Sequence, residues 1–312
     1  MRIGYYGPND PAHPLGGTFW IGAARAIEEA NREGGYRGLP FRLVQAWSEN
    51  PWRAGASAVV KMVYADRVWA VIAGIDGVTA HLAEQVAAKA LLPIVDPGST
   101  DKTVNMAYVP WTFSMLPPDP VYAEAIGKAL GGAGFTLYSA TDHDSRALTG
   151  DLLIWLRRNH TVPLRHVEFG PGAQDAPALA AEAAAAAVVI AGPVDSARLV
   201  RELKRARPGI AIYGGPAMAR QSFLDLAGAA AEGVRFPLPE AGRAGFPDYA
   251  AAAAYDSVRL LVGAVRKAGL NRARIRDAID EGAGIAGWDA LNRNTHPVAM
   301  GTIRAGRRVQ LP

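Results

Sequence analysis

The sequence predicts an α/β protein built as two successive units, each a set of parallel strands joined by crossover helices. Three observations carry that reading. Short β-branched or apolar runs alternate with longer alanine-rich runs of helical period. The alternation halts once, at a proline-rich stretch, and then restarts. Half of the 312 residues are apolar, enough to bury a large core.

In the first unit, residues 2–6 (RIGYY), 41–47 (FRLVQAW), 68–74 (VWAVIAG) and 91–97 (LLPIVDP) read as strands, and 17–35, 51–67 and 76–90 read as the helices between them. Residues 108–120, YVPWTFSMLPPDP, hold four prolines and three aromatics that interrupt any helical pattern, which marks a crossover between lobes. In the second unit the strands are 135–141, 164–169, 186–192, 209–215 and 232–238, with helices over 145–159, 175–186, 195–207 and 218–228. The alanine tract 180–187 reads as the end of a helix running into a strand, because VVIAGP follows it directly. Two longer helices, 248–269 and 271–282, precede a hairpin over 297–310.

Composition excludes several functions. The net charge is +4, with no run of five or more Lys/Arg, so no nucleic-acid footprint is expected. There is no cysteine, which removes disulfides, thiolate metal sites and cysteine nucleophiles. The chain starts on a strand, MRIGYYGP, so no signal peptide or membrane span is expected within it.

Catalytic signatures are sparse. The chain has no G-x-x-x-x-G-K-[ST], no G-x-S-x-G and no H-E-x-x-H. FGPGAQDAP approaches a dinucleotide fingerprint, but Asp175 stands where the third glycine belongs and suits a helix N-cap instead. The six histidines show no metal-ligand spacing. His143, in SATDHDSRA after a strand, lies where open α/β sheets gather ligand contacts, while the flanking acids there suit helix capping. No cofactor and no metal are expected.

The strand ends are more informative, since a doubly wound sheet forms its ligand crevice there. AGIDGVT places Asp76, Gly77 and Thr79 at one strand end, and VDPGST places Gly98, Ser99 and Thr100 at another. Glycines let backbone N–H groups approach a ligand, and hydroxyls add partners; together at a helix N-terminus they suit a carboxylate. The same hydroxyls also suit local turn capping.

The order GTFWIGAARAIEEANREGGYRGLPFRLV, ASAVVKMVYADRVWAVIAG, AEQVAAKALLPIVDPGST, PWTFSMLPPD, YDSVRLLVGAV and GTIRAGRRV resembles the type I periplasmic binding proteins of branched-chain amino-acid ABC transporters, the leucine/isoleucine/valine-binding group. The helix ending in N-x-x-G-G-x-x-G, Asn31 to Gly38, is the most specific part. The resemblance implies two Rossmann-like lobes, 1–117 with 237–287 and 118–236 with 288–312, joined by a three-crossover hinge that closes on a ligand. It implies that Thr79 and the Gly98–Thr100 segment hold a ligand's carboxylate.

In the second lobe this sequence departs from the group. Asp144 stands where the amino-acid binders carry an aromatic, and Pro216 lies near the position of the acid that pairs with the ligand's ammonium. A buried ammonium without a partner is costly, so the ligand class widens to carboxylates in general. Tyr6, Trp20, Trp47, Trp111 and Tyr249 fall near the expected cleft; Trp20, beside the HPLGG loop, is the leading aromatic contact, and Tyr249 is a further candidate ligand residue. The expectation is a monomeric extracytoplasmic solute-binding protein that presents its ligand to an ABC permease. A sensor domain of the same fold and an enzyme using the DHD segment are the alternatives.

Overall fold

The computed structural model describes residues 1–132, 134–181, 183–239, 245–281 and 287–312. Met1–Pro118 with Ala250–His296 form one compact unit, and Asp119–Tyr249 with Pro297–Pro312 form the other. The chain therefore passes between units three times.

In the first unit, β1 (Arg2–Tyr6), β2 (Arg42–Ala46), β3 (Val71–Ala73), β4 (Ile94–Asp96) and β5 (Thr112–Ser114) make a sheet of order β2-β1-β3-β4-β5, parallel at every pairing. β3 and β4 are short strands buried over their whole length, apolar but for the Asp96 that ends β4, as a sheet covered on both faces requires. The crossovers are α1 (Gly17–Arg32), α2 (Ala56–Tyr64) preceded by a π-helical turn over Pro51–Gly55, and α3 (Gly77–Ala90). From the C-terminal part come α9 (Tyr249–Ala268), whose first residue belongs to the other unit, and α10 (Arg272–Asp280).

The α1–α9 contact explains two sequence features. Gly22 lies so close to α9 that a Cβ there would come 1.9 Å from the carbonyl oxygen of Ala251. The alanine-rich start of α9 leaves room for this approach: Ala250 through Ala254 are all buried. Polar groups on the rim tie the same helices, with Arg259 and Arg266 both on Glu33 at 2.8 Å and Tyr255 donating to Glu29.

The second unit carries a seven-stranded sheet of order β12-β11-β10-β9-β8-β6-β7. Its strands are β6 (Phe135–Ala140), β7 (Arg165–Phe169), β8 (Ala186–Ile190), β9 (Ala211–Gly214), β10 (Arg235–Leu238) and the antiparallel pair β11 (Ala299–Arg304) and β12 (Arg307–Gln310). Its helices are α4 (Asp119–Leu130), α5 (His143–Arg158), α6 (Ala176–Ala181), α7 (Pro193–Ala206) and α8 (Gln221–Ala227). Tyr138, Val189, Leu203 and Phe236 pack in the core on one face, and Tyr122, Leu137, Val188 and Leu152 on the other.

Three expectations need correction. Residues 108–120 are only partly a crossover: β5 and the start of α4 lie within them, because Thr112, Phe113 and Ser114 bury against β4, and Pro120 suits a helix's first turn. The unit boundaries also shift. Pro237 to Tyr249 go with the second unit, since β10 pairs with β9 and β11. Residues 288–296 go with the first, where Asn292 and Asn294 exchange backbone bonds with Ser114 at 2.9 and 3.0 Å. Residues 218–228 are not one helix: a 3-10 turn over Pro216–Ala219 is separated from α8 by Arg220, whose backbone is extended at φ −77° and ψ 149°. Residues 182 and 282, inside predicted helices, lie outside the described residues.

Gly22→Ala should lower stability by roughly 1–3 kcal/mol, despite the gain in helix propensity of about 1 kcal/mol. Urea unfolding should show this as a lower midpoint with an unchanged slope.

Candidate functional site

β4 ends on Asp96, whose side chain is fully buried. Its Oδ1 accepts the backbone N–H groups of Gly98 and Ser99, both at 2.9 Å, and its Oδ2 accepts from Ser114 Oγ at 3.4 Å. The Gly98 N–H is shared with the carbonyl of Gly74, at 3.0 Å, beyond the end of β3. Gly74 takes φ +105°, and a Cβ there would come 2.4 Å from Asp96 Oδ1. Gly98 is required for another reason: a Cβ would come 2.5 Å from the Phe19 ring of α1. The proline, glycine and hydroxyls of VDPGST therefore form a turn wound around one carboxylate.

The turn leads into a second network. Ser99, 3% exposed, accepts the Asp101 N–H at 3.2 Å, and Asp101 Oδ1 accepts the Thr103 N–H and hydroxyl at 2.8 and 2.7 Å. Asp101 Oδ2 meets His81 Nε2 of α3 at 2.9 Å, and His81 Nδ1 lies 3.5 Å from Glu84. Hydrogen bonds to Asp101 and Glu84 raise the His81 pKa to about 9 from its ordinary 6.5, against the opposing effect of burial. His81 is therefore a cation at neutral pH, fastened to the loop that carries Ser99 and Thr100.

At the neighbouring strand end Asp76 caps α3. Its Oδ1 accepts the Thr79 N–H at 2.8 Å and the Thr79 hydroxyl at 2.6 Å, while the Asp76 N–H donates to Thr79 Oγ1 at 3.3 Å. This reciprocal capping box encloses Gly77 and leaves Thr79 fully buried. In this structure the Thr79 hydroxyl thus builds the helix cap, a role different from the carboxylate contact that the resemblance implies. Gly98 and Thr100 are partly exposed on the same unit. Trp20, half-buried on α1, packs edge-on against Tyr5 with ring centroids 5.3 Å apart.

The remaining aromatics divide. Tyr6 and Trp111 are core residues, 0% and 7% exposed. Burial, then the charges of Asp76 and Glu49, push the Tyr6 pKa up to about 12. Trp47 is half-buried and tilted against Tyr6 at 5.5 Å.

In the second unit, Asp142 caps α5 by accepting the Ser145 N–H at 3.0 Å, so the DHD segment contains a helix cap. His143, exposed, and Asp144, half-buried, occupy the first turn of α5 beyond the end of β6. Pro216, buried, opens the 3-10 turn beyond β9. Tyr249 is half-buried at the start of α9, close enough to Asp144 for that carboxylate to help raise its pKa, after the larger effect of burial and against the opposing charge of Arg220. The glycine loop of FGPGAQDAP is tied to α7: the Gly172 N–H donates to Asp195 at 3.2 Å, and its carbonyl accepts from Arg198 at 2.7 Å.

Sequence reasoning missed Asp96, His81, Asp101, Arg220 and Asp248. Asp96 had a signal, an acid before Pro-Gly at a strand end. The others come from distant parts of the chain.

Comparison with known proteins identifies the family and the fold. Residues 2–240 match the family model described as periplasmic binding protein. The chain belongs to that family. This periplasmic binding protein resembles the branched-chain amino-acid substrate-binding protein LivJ of Streptococcus pneumoniae, solved with isoleucine, at a TM-score of 0.86 and 20% identity over 100% of this chain and 99% of that one. It resembles the leucine-binding protein LivK of Thermotoga maritima at 0.88 and 19%, over 100% and 98%. It also resembles a solute-binding protein of an ABC transporter from R. palustris, solved with benzoate, at 0.86 and 16%, over 100% and 95%. No curated protein matches the sequence at a significant level. The fold is that of the type I periplasmic binding proteins, and these relatives are solute-binding proteins.

Two outcomes follow. Asp96→Ala should cost about 1–3 kcal/mol, since the buried Ser99 N–H loses its acceptor, while Asp96→Asn, which keeps an acceptor oxygen, should cost less. Chemical denaturation of both variants checks this. The raised His81 pKa also sets a pH dependence: its stabilisation is complete below about 6.5 and is lost as pH rises through 9. Wild type should therefore lose on the order of 1–3 kcal/mol between pH 6.5 and 9.5 that His81→Gln does not. Melting curves at stepped pH values give the comparison.

Proposed function

We propose that this protein is the extracytoplasmic solute-binding component of an ABC importer and that it holds a small carboxylate or an amino-acid-like molecule. The observation that carries this reading is the Asp96-wound turn, which sets Gly98, Ser99 and Thr100 at the carboxyl end of β4, beside the capped N-terminus of α3. Thr100 would contact the acid group, with the positive end of α3 favouring an anion nearby. Trp20 would supply an apolar wall. Asp76, Gly77 and Thr79 would act by shaping the helix terminus.

The second unit would supply His143, Asp144, Pro216 and Tyr249. Asp144 would stand in for the acid that Pro216 lacks, so a ligand with an ammonium group remains within the class. Binding would close the two units by bending at the three crossovers, and the closed form would be presented to a permease. Isoleucine and benzoate, held by the relatives from S. pneumoniae and R. palustris, bracket the class with and without an amine.

A thermal-shift screen of leucine, isoleucine, benzoate, phenylacetate and short aliphatic acids tests the proposal. A ligand at one hundred times its dissociation constant should stabilise the protein by about 2.7 kcal/mol, and Trp20→Ala should reduce that shift. Shifts confined to acids without an amine would exclude amino acids. No shift with any acid across three concentration decades would defeat the proposal.

A further inference from the structure

The second unit buries an ion pair. Arg220 Nε lies 3.1 Å from Asp248 Oδ2, with the two side chains 8% and 0% exposed. The same Oδ2 accepts the Gln221 N–H at 3.0 Å. A second arginine, Arg308 of β12, stitches the same two segments: it donates to the carbonyl of Ala219 at 3.1 Å, to Gln221 Oε1 at 3.2 Å and to the carbonyl of Pro247. Residues 219–221, beyond the end of β9, are thus bound to residues 247–248, immediately before α9.

A buried ion pair is a poor device for stability, because desolvation of two charges offsets most of their attraction and an apolar pair of similar volume often does as well. What such a pair does supply is geometry. Arg220 is held extended between two helical segments, and its guanidinium sits 5.8 Å from the centroid of the Tyr249 ring. Tyr249 follows Asp248 directly, is the last residue of this unit and opens α9. Its ring therefore has its backbone anchored through Asp248 and one side occupied by Arg220, with Asp144 of α5 nearby.

We propose that Arg220 and Asp248 are positioning residues that fix the Tyr249 ring, and that Tyr249 so held determines ligand specificity in the second unit. The inference rests on the solute-binding reading above. The Tyr249 phenol accepts from Arg220, and burial raises its pKa, so it keeps its O–H as a donor for a ligand.

The experiment uses the full chain labelled with 3-fluorotyrosine. The Tyr249 resonance is assigned as the 19F line missing from Tyr249→Phe. In wild type it should be one narrow line. In Arg220→Met/Asp248→Leu, which replaces the pair with apolar groups, it should broaden or split while the circular dichroism spectrum is retained. Arg220→Lys, which keeps the charge and loses the planar fork, should give an intermediate change and serves if the double variant does not fold. Calorimetric titration with leucine, isoleucine and benzoate should show affinity falling by roughly tenfold both in the double variant and in Tyr249→Phe, with no further loss when the changes are combined. An unchanged 19F line in a folded variant overturns the positioning role, whatever the probes bind. A disturbed line with unchanged affinity for a probe that wild type binds overturns the specificity role. If wild type binds none of the three, the specificity claim falls with the functional reading, while the resonance still decides the positioning claim.

Discussion

Parallel strand pairing is the constraint on which both units depend. A parallel neighbour can be reached only by a crossover, so most strands here are followed by a helix that packs back on the sheet. The same geometry brings the carboxyl ends of the strands to one edge. β1, β3, β4 and β5 pair in one direction, and the loops after β3 and β4 therefore meet. That meeting lets the Gly74 carbonyl, the Asp96 carboxylate and the Gly98 amide share one hydrogen-bonded knot.

The polar groups at these ends, Asp96 and Asp101 buried and Asp76 half-buried, are arranged to hold backbone in place. Asp96 accepts two amides and a hydroxyl, and Asp76 closes a capping box around Gly77. Asp101 accepts from Thr103 and meets His81. Each is satisfied by several partners, which is the condition under which a buried carboxylate is tolerable. The result is a rigid frame from which Gly98 and Thr100 reach the surface. In the second unit Arg220 and Asp248 do comparable work between segments that no strand pairing connects.

Much of this could be read from local pattern. The strand and helix order follows from periodicity, because a helix or strand shows its buried face in residues three, four or two apart. The strand-end glycines and hydroxyls were legible for the same reason, and so was the helix cap at Asp142. β5 was not: its three residues sit among prolines, and only pairing with β4 makes them a strand. The unit boundaries were not, because a boundary is decided by which sheet a segment joins. Nor was the role of Thr79, whose hydroxyl could serve a ligand or the cap until its distance to Asp76 is known.

By itself, then, the sequence determined the α/β class, the order of elements, the family and the strand ends at which polar groups collect. Those properties live in short windows of chain, where side-chain period and turn chemistry act directly. Tertiary structure alone decided that Asp96 is the centre of its turn, that His81 is held charged by Asp101 and Glu84, and that Arg220 meets Asp248 across a separation of 28 residues. Such pairs are set by how helices and sheets pack, and packing leaves no local period for a sequence to display.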